Sequence, residues 1–226
     1  MKYLALCLLA VALSIPAVAQ EDKPLSDETK ALIEKAEGGD VDAQFNLGYA
    51  YYEGGGVLKD YKEAVKWFRK AADQGYAKAQ FNLGNMYRNG EGVLKDYKEA
   101  VKWYRKAADQ GYALAQYNLG VMYMIGKGVL KDAKEAGKWL RKAADQGNAT
   151  AQFSLGLMYR NGIGVLMDDV AAYAWYSLSA FNGDELGQEG RDQLAEKMTP
   201  EQLAEAQELS QELLKQIEEN NKKKAK

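Results

Sequence analysis

From residue 40 onward, apolar side chains recur at helical spacing and glycines interrupt them. Over about 40–53, Ala43, Leu47, Ala50 and Tyr51 fall on one side at i, i+4, i+7 and i+8, which predicts a helix with one buried face. Gly54, Gly55 and Gly56 end it, since glycine supplies the positive φ of a helix C-terminus. Val57 and Leu58 read as the pair that pins the loop. Asp60 then reads as the N-cap of a second helix, with Glu63 at capping-box distance. Ala64, Phe68 and Ala71 form the buried stripe of that second helix, and Gly75 closes it. The small residues Gly48 and Ala64 predict a close approach of the two helices.

This pattern repeats. Phe45-Asn46-Leu47-Gly48 returns as Phe81-Asn82-Leu83-Gly84, Tyr117-Asn118-Leu119-Gly120 and Phe153-Ser154-Leu155-Gly156, at steps of 36 residues. The stretch from Lys66 to Gly75 returns from Lys102 and Lys138, with a decayed copy over 174–183. A fixed period of this length predicts stacked units, none of which buries its faces alone. The units are 40–75, 76–111, 112–147 and 148–183. Residues 20–39 read as an N-terminal capping helix in register with the end of a second helix. Residues 184–226 read as C-terminal capping helices and a basic tail ending in Lys222, Lys223, Lys224 and Lys226. Within the tail segment, Thr199 as N-cap, Pro200 at the first helical position and Gln202 form a strong helix start. Leu203, Ala206, Leu209, Leu213 and Ile217 share the inner side of the helix that follows.

The motif Ala-x-Gln-Phe-Asn-Leu-Gly…Gly-x-Gly-Val…Asp-x-x-x-Ala-x-x-Trp-x-x-x-Ala-Ala-x-x-Gly resembles the Sel1-like repeat, a relative of the tetratricopeptide repeat. The resemblance implies an all-α fold: a right-handed α-solenoid of helix-turn-helix repeats with terminal capping helices. It also implies protein partners bound on the concave surface. Secreted or periplasmic bacterial members of the family act as adaptors and regulators.

Ahead of the repeats, Lys2 precedes an apolar run from Tyr3 to Ile15, Pro16 breaks it, and Ala17-Val18-Ala19 fits a small-residue cleavage site. The run falls short of the ~20 apolar residues that span a bilayer. Residues 1–19 therefore read as a signal peptide, cleaved near Ala19. That expectation places the chain in the periplasm or outside the cell, without stable membrane insertion. The only cysteine, Cys7, lies in this segment, so disulfides play no part in the rest.

Composition narrows the chemistry. The 226 residues include no histidine, which removes Ser-His-Asp and Cys-His catalysis and histidine-containing zinc sites. Lys and Arg number 30 against 32 Asp and Glu. That near balance conceals basic central units and acidic ends. With a sequence pI near 5.5 and the signal reading, nucleic acid is excluded as a partner. The Gly-x-Gly pairs at 90/92, 126/128 and 162/164 follow no strand and read as helix terminators rather than phosphate loops. No Ser-x-x-Lys occurs. Asn148-Ala149-Thr150 matches a glycosylation sequon but falls at a helix start. No cofactor or metal is expected.

Candidate binding residues are those that face away from Leu47 and its equivalents. In unit one they include Tyr49, with Asn46 at the edge. Unit two supplies Lys78, Asn82, Asn85 and Arg88. Unit three supplies Leu114, Asn118, Val121, Met124 and Ile125. The aromatic at 45, 81, 117 and 153 is assigned to packing between units. Asn46, Asn82 and Asn118 admit two readings, an amide for the backbone of an extended peptide or a hydrogen bond between repeats. Lysines and arginines stacked on the second helices, such as Lys98, Lys102, Arg105 and Lys106, read as a solvated ridge. The expected function is a non-catalytic protein–protein interaction module, an adaptor of the cell envelope. The alternatives are a hydrolase acting on cell-wall material or β-lactams, as claimed for cysteine-rich relatives, and self-association of acidic ends with basic middles.

Overall fold

The computed structural model describes residues 25–224; the proposed signal peptide and Lys226 lie outside the described residues. Among the described residues there are eleven α-helices and no strand. α1 (Asp27–Glu37) is followed by four pairs of helices: α2 (Val41–Glu53) with α3 (Tyr61–Asp73), α4 (Ala77–Asn89) with α5 (Tyr97–Asp109), α6 (Ala113–Ile125) with α7 (Ala133–Ala144), and α8 (Ala149–Asn161) with α9 (Asp169–Phe181). α10 (Glu185–Ala195) and α11 (Pro200–Lys224) complete the chain. Each helix packs on its partner within the pair and on the neighbouring pair, so the core is a chain of clusters along a solenoid rather than one centre. We call the first helix of each pair A and the second B.

Close contact within a pair depends on the absence of a side chain. A Cβ on Gly84 would sit 2.7 Å from the Tyr104 ring, and one on Gly156 2.5 Å from the Tyr176 ring. Leu47, Leu83 and Leu119 are wholly buried beside these contacts. Tyr51 and Ala50 are only half-buried, whereas the methionines at the Ala50 position of the later units, Met86, Met122 and Met158, are buried.

The aspartate caps form, but the expected capping box does not. Asp60 Oδ1 accepts from the backbone N–H of Lys62 (2.8 Å) and Glu63 (3.2 Å). The Asp60 N–H itself donates to the Tyr51 carbonyl (2.9 Å), closing the loop back onto helix A. With that donor occupied, Glu63 turns outward and pairs with Lys66 at 2.9 Å. Asp96 and Asp132 behave in the same way. At Thr199 the reciprocal box is complete: Gln202 N–H donates to Thr199 Oγ1 and Thr199 N–H to Gln202 Oε1.

Loop pinning also differs from expectation. Val93, Val129 and Val165 pack on core clusters, whereas Leu58 and its equivalents face water. The second glycine of each Gly-x-Gly does more than end a helix. Gly128 has φ +75°, and a Cβ there would lie 2.1 Å from the Tyr97 carbonyl oxygen at the start of the preceding helix B. The loop of one unit thus rests against the backbone of the unit before it.

The ends are covered as a solenoid requires. Ser26 caps α1, whose Ala36 is wholly buried against Ala43, Leu47 and Trp67. α11 lies along α9, with Leu213 and Ile217 joining Trp175 and Leu178 in one cluster and Ala206 joining Tyr176 in another.

Candidate functional site

The A helices present a continuous face built from the same positions in each unit. Between α2 and α4 it opens into a cleft of about 220 Å³, lined by Tyr49, Tyr52, Phe68, Asn82, Asn85 and Met86. Three of the candidate residues, Tyr49, Asn82 and Asn85, meet here. Tyr49 is largely exposed, and both asparagines are half-buried. Tyr52 closes one end, its hydroxyl 3.4 Å from Glu91 Oε2. Burial and then the Glu91 charge raise the Tyr52 pKa, so its hydroxyl stays protonated and available to donate.

The asparagines divide between the two roles. Asn85 Oδ1 accepts from the Tyr104 hydroxyl at 2.7 Å and from Asn118 Nδ2 at 3.3 Å. Asn118 therefore ties units two and three together, the structural alternative. The same bonds orient the Asn85 amide, with its oxygen held inward. Burial pushes the Tyr104 phenol up to about 12, against the opposing effects of Arg88 and Asn118. Arg88 influences Tyr104 and Tyr117 alike and donates from Nε to Asn89 Oδ1 at 3.3 Å, which places it across the second and third units. Asn46 and Lys78 are exposed on the outer part of the same helices.

In unit three the apolar candidates separate. Leu114 and Ile125 are exposed, and Val121 is half-buried. Met124 is also half-buried and packs against the cluster containing Leu140, Leu155 and Trp175. It belongs to the seam between units three and four, because the α7–α9 core extends beneath it. The contiguous exposed patch expected from the sequence is reduced to its two ends.

The packing assignments for the aromatics fit the geometry. Phe45 meets Phe68 at 5.8 Å and Tyr76 of the next unit at 5.2 Å. Trp67, Trp103 and Trp139 are buried, and Lys70, Lys106 and Lys142 lie over their rings at 4.0, 4.1 and 3.9 Å. Lys66, Lys102 and Lys138 each pair with a glutamate one turn away. Much of the basic ridge is therefore engaged within its own helix.

One set of residues was not singled out from the sequence. Gln44, Gln80, Gln116 and Gln152 are buried on helix A. Each donates from Nε2 to the carbonyl eight residues earlier, at 3.1, 3.0, 3.0 and 3.1 Å. Each accepts at Oε1 from Gln74, Gln110, Gln146 or Asn182. The result is a ladder joining the ends of successive B helices through every A helix. The signal for it was present: a polar residue that never changes within an apolar face.

Among the described residues, no group of three or more acidic, cysteine or histidine side chains could hold a metal ion, and no helix is long and apolar enough to cross a membrane.

Comparison with known proteins follows this geometry. The Sel1 repeat family matches residues 41–76, 77–112, 113–148 and 149–184. A Sel1 repeat protein from Oxalobacter formigenes is 42% identical with TM-score 0.67, over 71% of this chain and 66% of that one. The protective antigen c5321 of uropathogenic Escherichia coli, which displays an SLR fold, is 35% identical with TM-score 0.56, over 82% of this chain and 48% of that one. A 40-residue segment, 18% of this chain, is 48% identical to the secretory immunoglobulin A-binding protein EsiB of Escherichia coli O6:H1. That segment spans 8% of EsiB, so the chain matches only part of its relatives' length. Sel1 repeats are generally protein-interaction modules on a non-enzymatic scaffold. With four matched repeats covering more than half its length, the chain belongs to the Sel1 repeat family.

Proposed function

We propose that this chain is a non-catalytic adaptor of the cell envelope that binds an extended segment of a protein partner along its A-helix face. The observation that carries the reading is the cleft between α2 and α4, where tyrosine rings and amide groups converge on one opening. Rings supply apolar contact at low entropic cost, while asparagine amides match the donors and acceptors of a peptide backbone. Leu114 and Ile125 extend the face with apolar surface, and Lys78 and Arg88 add positive charge between the two. The segment best suited to this face carries an apolar anchor and an acidic neighbour. EsiB is named for binding an immunoglobulin, which agrees with a protein ligand for this repeat type. The apolar run before Ala19 supports an envelope location.

The test is a displayed peptide library panned against a chain beginning at Gln20. Peptides with an apolar anchor beside Asp or Glu should be enriched. Asn82→Ala, and Leu114→Asp with Ile125→Asp, should weaken their capture at least tenfold and leave thermal unfolding nearly unchanged. Arg88→Ala should weaken capture more at low salt than at high, because screening already erodes its contribution. Undiminished capture by all three variants would move the site off this face. Hydrolysis of a chromogenic β-lactam or of peptidoglycan, lost on a single carboxylate substitution, would replace the adaptor reading with the hydrolase.

A further inference from the structure

Leu58, Leu94, Leu130 and Leu166 occupy the same position in the four A–B loops, and they are 64, 91, 90 and 90% exposed. A single exposed leucine is unremarkable, but the same loop position exposing one in every unit is not scatter. Because successive units stack, the four side chains form a line along one edge, spaced on the order of a helix diameter, ~10 Å. Packing does not use them, and in the last three loops the valine before the leucine, Val93, Val129 or Val165, packs on the core instead. In the fourth loop Met167, 73% exposed, takes the place of the lysine that follows the other three leucines, and Ile163 is exposed beside it. Apolar exposure therefore increases toward the C-terminal end of the row.

Charge at this edge is mixed, with a lysine in each of the first three loops. Lys59, Lys95 and Lys131 directly follow the first three leucines, and all three are exposed. The neighbouring carboxylates are engaged by the protein's own donors. Asp60, Asp96, Asp132 and Asp168 accept backbone N–H groups at helix starts, and Glu91 faces the Tyr52 hydroxyl. Each of the first three leucines thus stands beside one exposed lysine and one capping aspartate, and the fourth beside Asp168 and Asp169.

We propose that this loop edge rests on a lipid bilayer surface, with the leucines entering the boundary between headgroups and acyl chains and the lysines meeting lipid phosphates. The contact is peripheral, as no described helix could span the bilayer. Lipid is favoured over a protein partner by the form of the row. The leucines project separately, and none of them lines the cleft between α2 and α4. A folded partner would need matching pockets at the repeat spacing. A fluid acyl layer needs none, and lysine stems lie along it with their charges outward. The edge adjoins the end of the cleft, where Lys59 lies over the Tyr52 ring at 5.8 Å, but none of the four leucines lines that cleft, so either reading can fail without the other.

The experiment is co-sedimentation with large unilamellar vesicles of phosphatidylcholine and phosphatidylglycerol. A chain beginning at Gln20 retains every helix of the described residues, since α1 starts at Asp27, and it omits the apolar run that would itself bind lipid. It should partition onto the vesicles. The triple variant Leu94→Ser, Leu130→Ser, Leu166→Ser should lose roughly tenfold per leucine, on the order of a thousandfold in all, with an unchanged melting temperature and unchanged peptide capture. Leu130→Cys, the one thiol in that chain, labelled with an environment-sensitive fluorophore, should shift its emission to the blue on adding vesicles. A wild-type chain that stays in the supernatant overturns the proposal, as does a triple variant that still partitions. A dimer seen without vesicles and abolished by the same three substitutions also overturns it, and assigns the row to a second copy of the chain.

Discussion

Equivalent positions in a repeat array show what each residue contributes, because the copies serve as natural substitutions. The position that packs on the helix-A glycine is Phe68, Tyr104, Leu140 and Tyr176 in the four units. Only shape and apolarity are common to these, so the Tyr104 hydroxyl is an addition, used to hold Asn85. Tyr104→Phe should cost about 0.5–1.5 kcal/mol at neutral pH, the net worth of one hydrogen bond. It should also alter the alkaline limb of stability. Burial lifts the folded Tyr104 pKa from 10.0 to about 12. The unfolded chain therefore releases this proton first, and stability present below pH 10 is lost as pH rises toward 12. Denaturation titrated between pH 9 and 12 should fall less steeply for the variant. An identical slope would show that Tyr104 does not carry the effect.

At the level of elements, the helix boundaries follow from local chemistry. Serine, aspartate, asparagine or threonine caps most helix starts, α4 and α6 beginning at Tyr76 and Tyr112 without a side-chain cap, and glycines at 54, 90, 126 and 162 stop the A helices with positive φ. What changed from expectation was the partner of each cap. Glu63 stands at capping-box spacing in the sequence, yet the Tyr51 carbonyl reaches the Asp60 N–H first, because the A–B loop folds back on its own helix. α11 has no such competitor, so both halves of its box form. Thr199→Ala should cost about 1 kcal/mol and fray the start of α11. Amide exchange at Leu203 and Gln202 should rise well before exchange in α9 does. Equal protection in both proteins would mean that packing against α9, rather than the cap, holds the start of α11.

At the scale of the whole molecule, stability is a sum of units and the junctions between them. The buried glutamines are the polar part of those junctions. Gln116→Ala removes two bonds of the junction, leaving the Ala108 carbonyl to the Gly111 N–H and the Gln146 amide to the Lys142 carbonyl. A loss of about 1–3 kcal/mol is expected for the two lost hydrogen bonds. The variant should also unfold over a wider range of denaturant, as units one and two uncouple from three and four. A midpoint shift with unchanged steepness would show that apolar contact alone carries the coupling.

The period of 36 residues, the alternation of helices and glycine loops, and the inward positions of Leu47, Phe68, Leu213 and Ile217 were all legible in the sequence. They depend on helical spacing and cap chemistry, which operate within a few residues. The family likeness rested on those same local features. Three other matters were settled only when the units were stacked. Gln44 and its copies became a ladder because their partners lie eight residues before and thirty after, on neighbouring B helices. Met124 left the open face because the core of the following unit extends under it. Leu94 and its equivalents went to water because the adjacent valine filled the only space the loop offers. In each case one side chain could serve two surroundings, and the choice lay with residues on other helices. Spacing along the chain decides which face a residue occupies, and only the packed neighbours decide whether that face meets water, core or a partner.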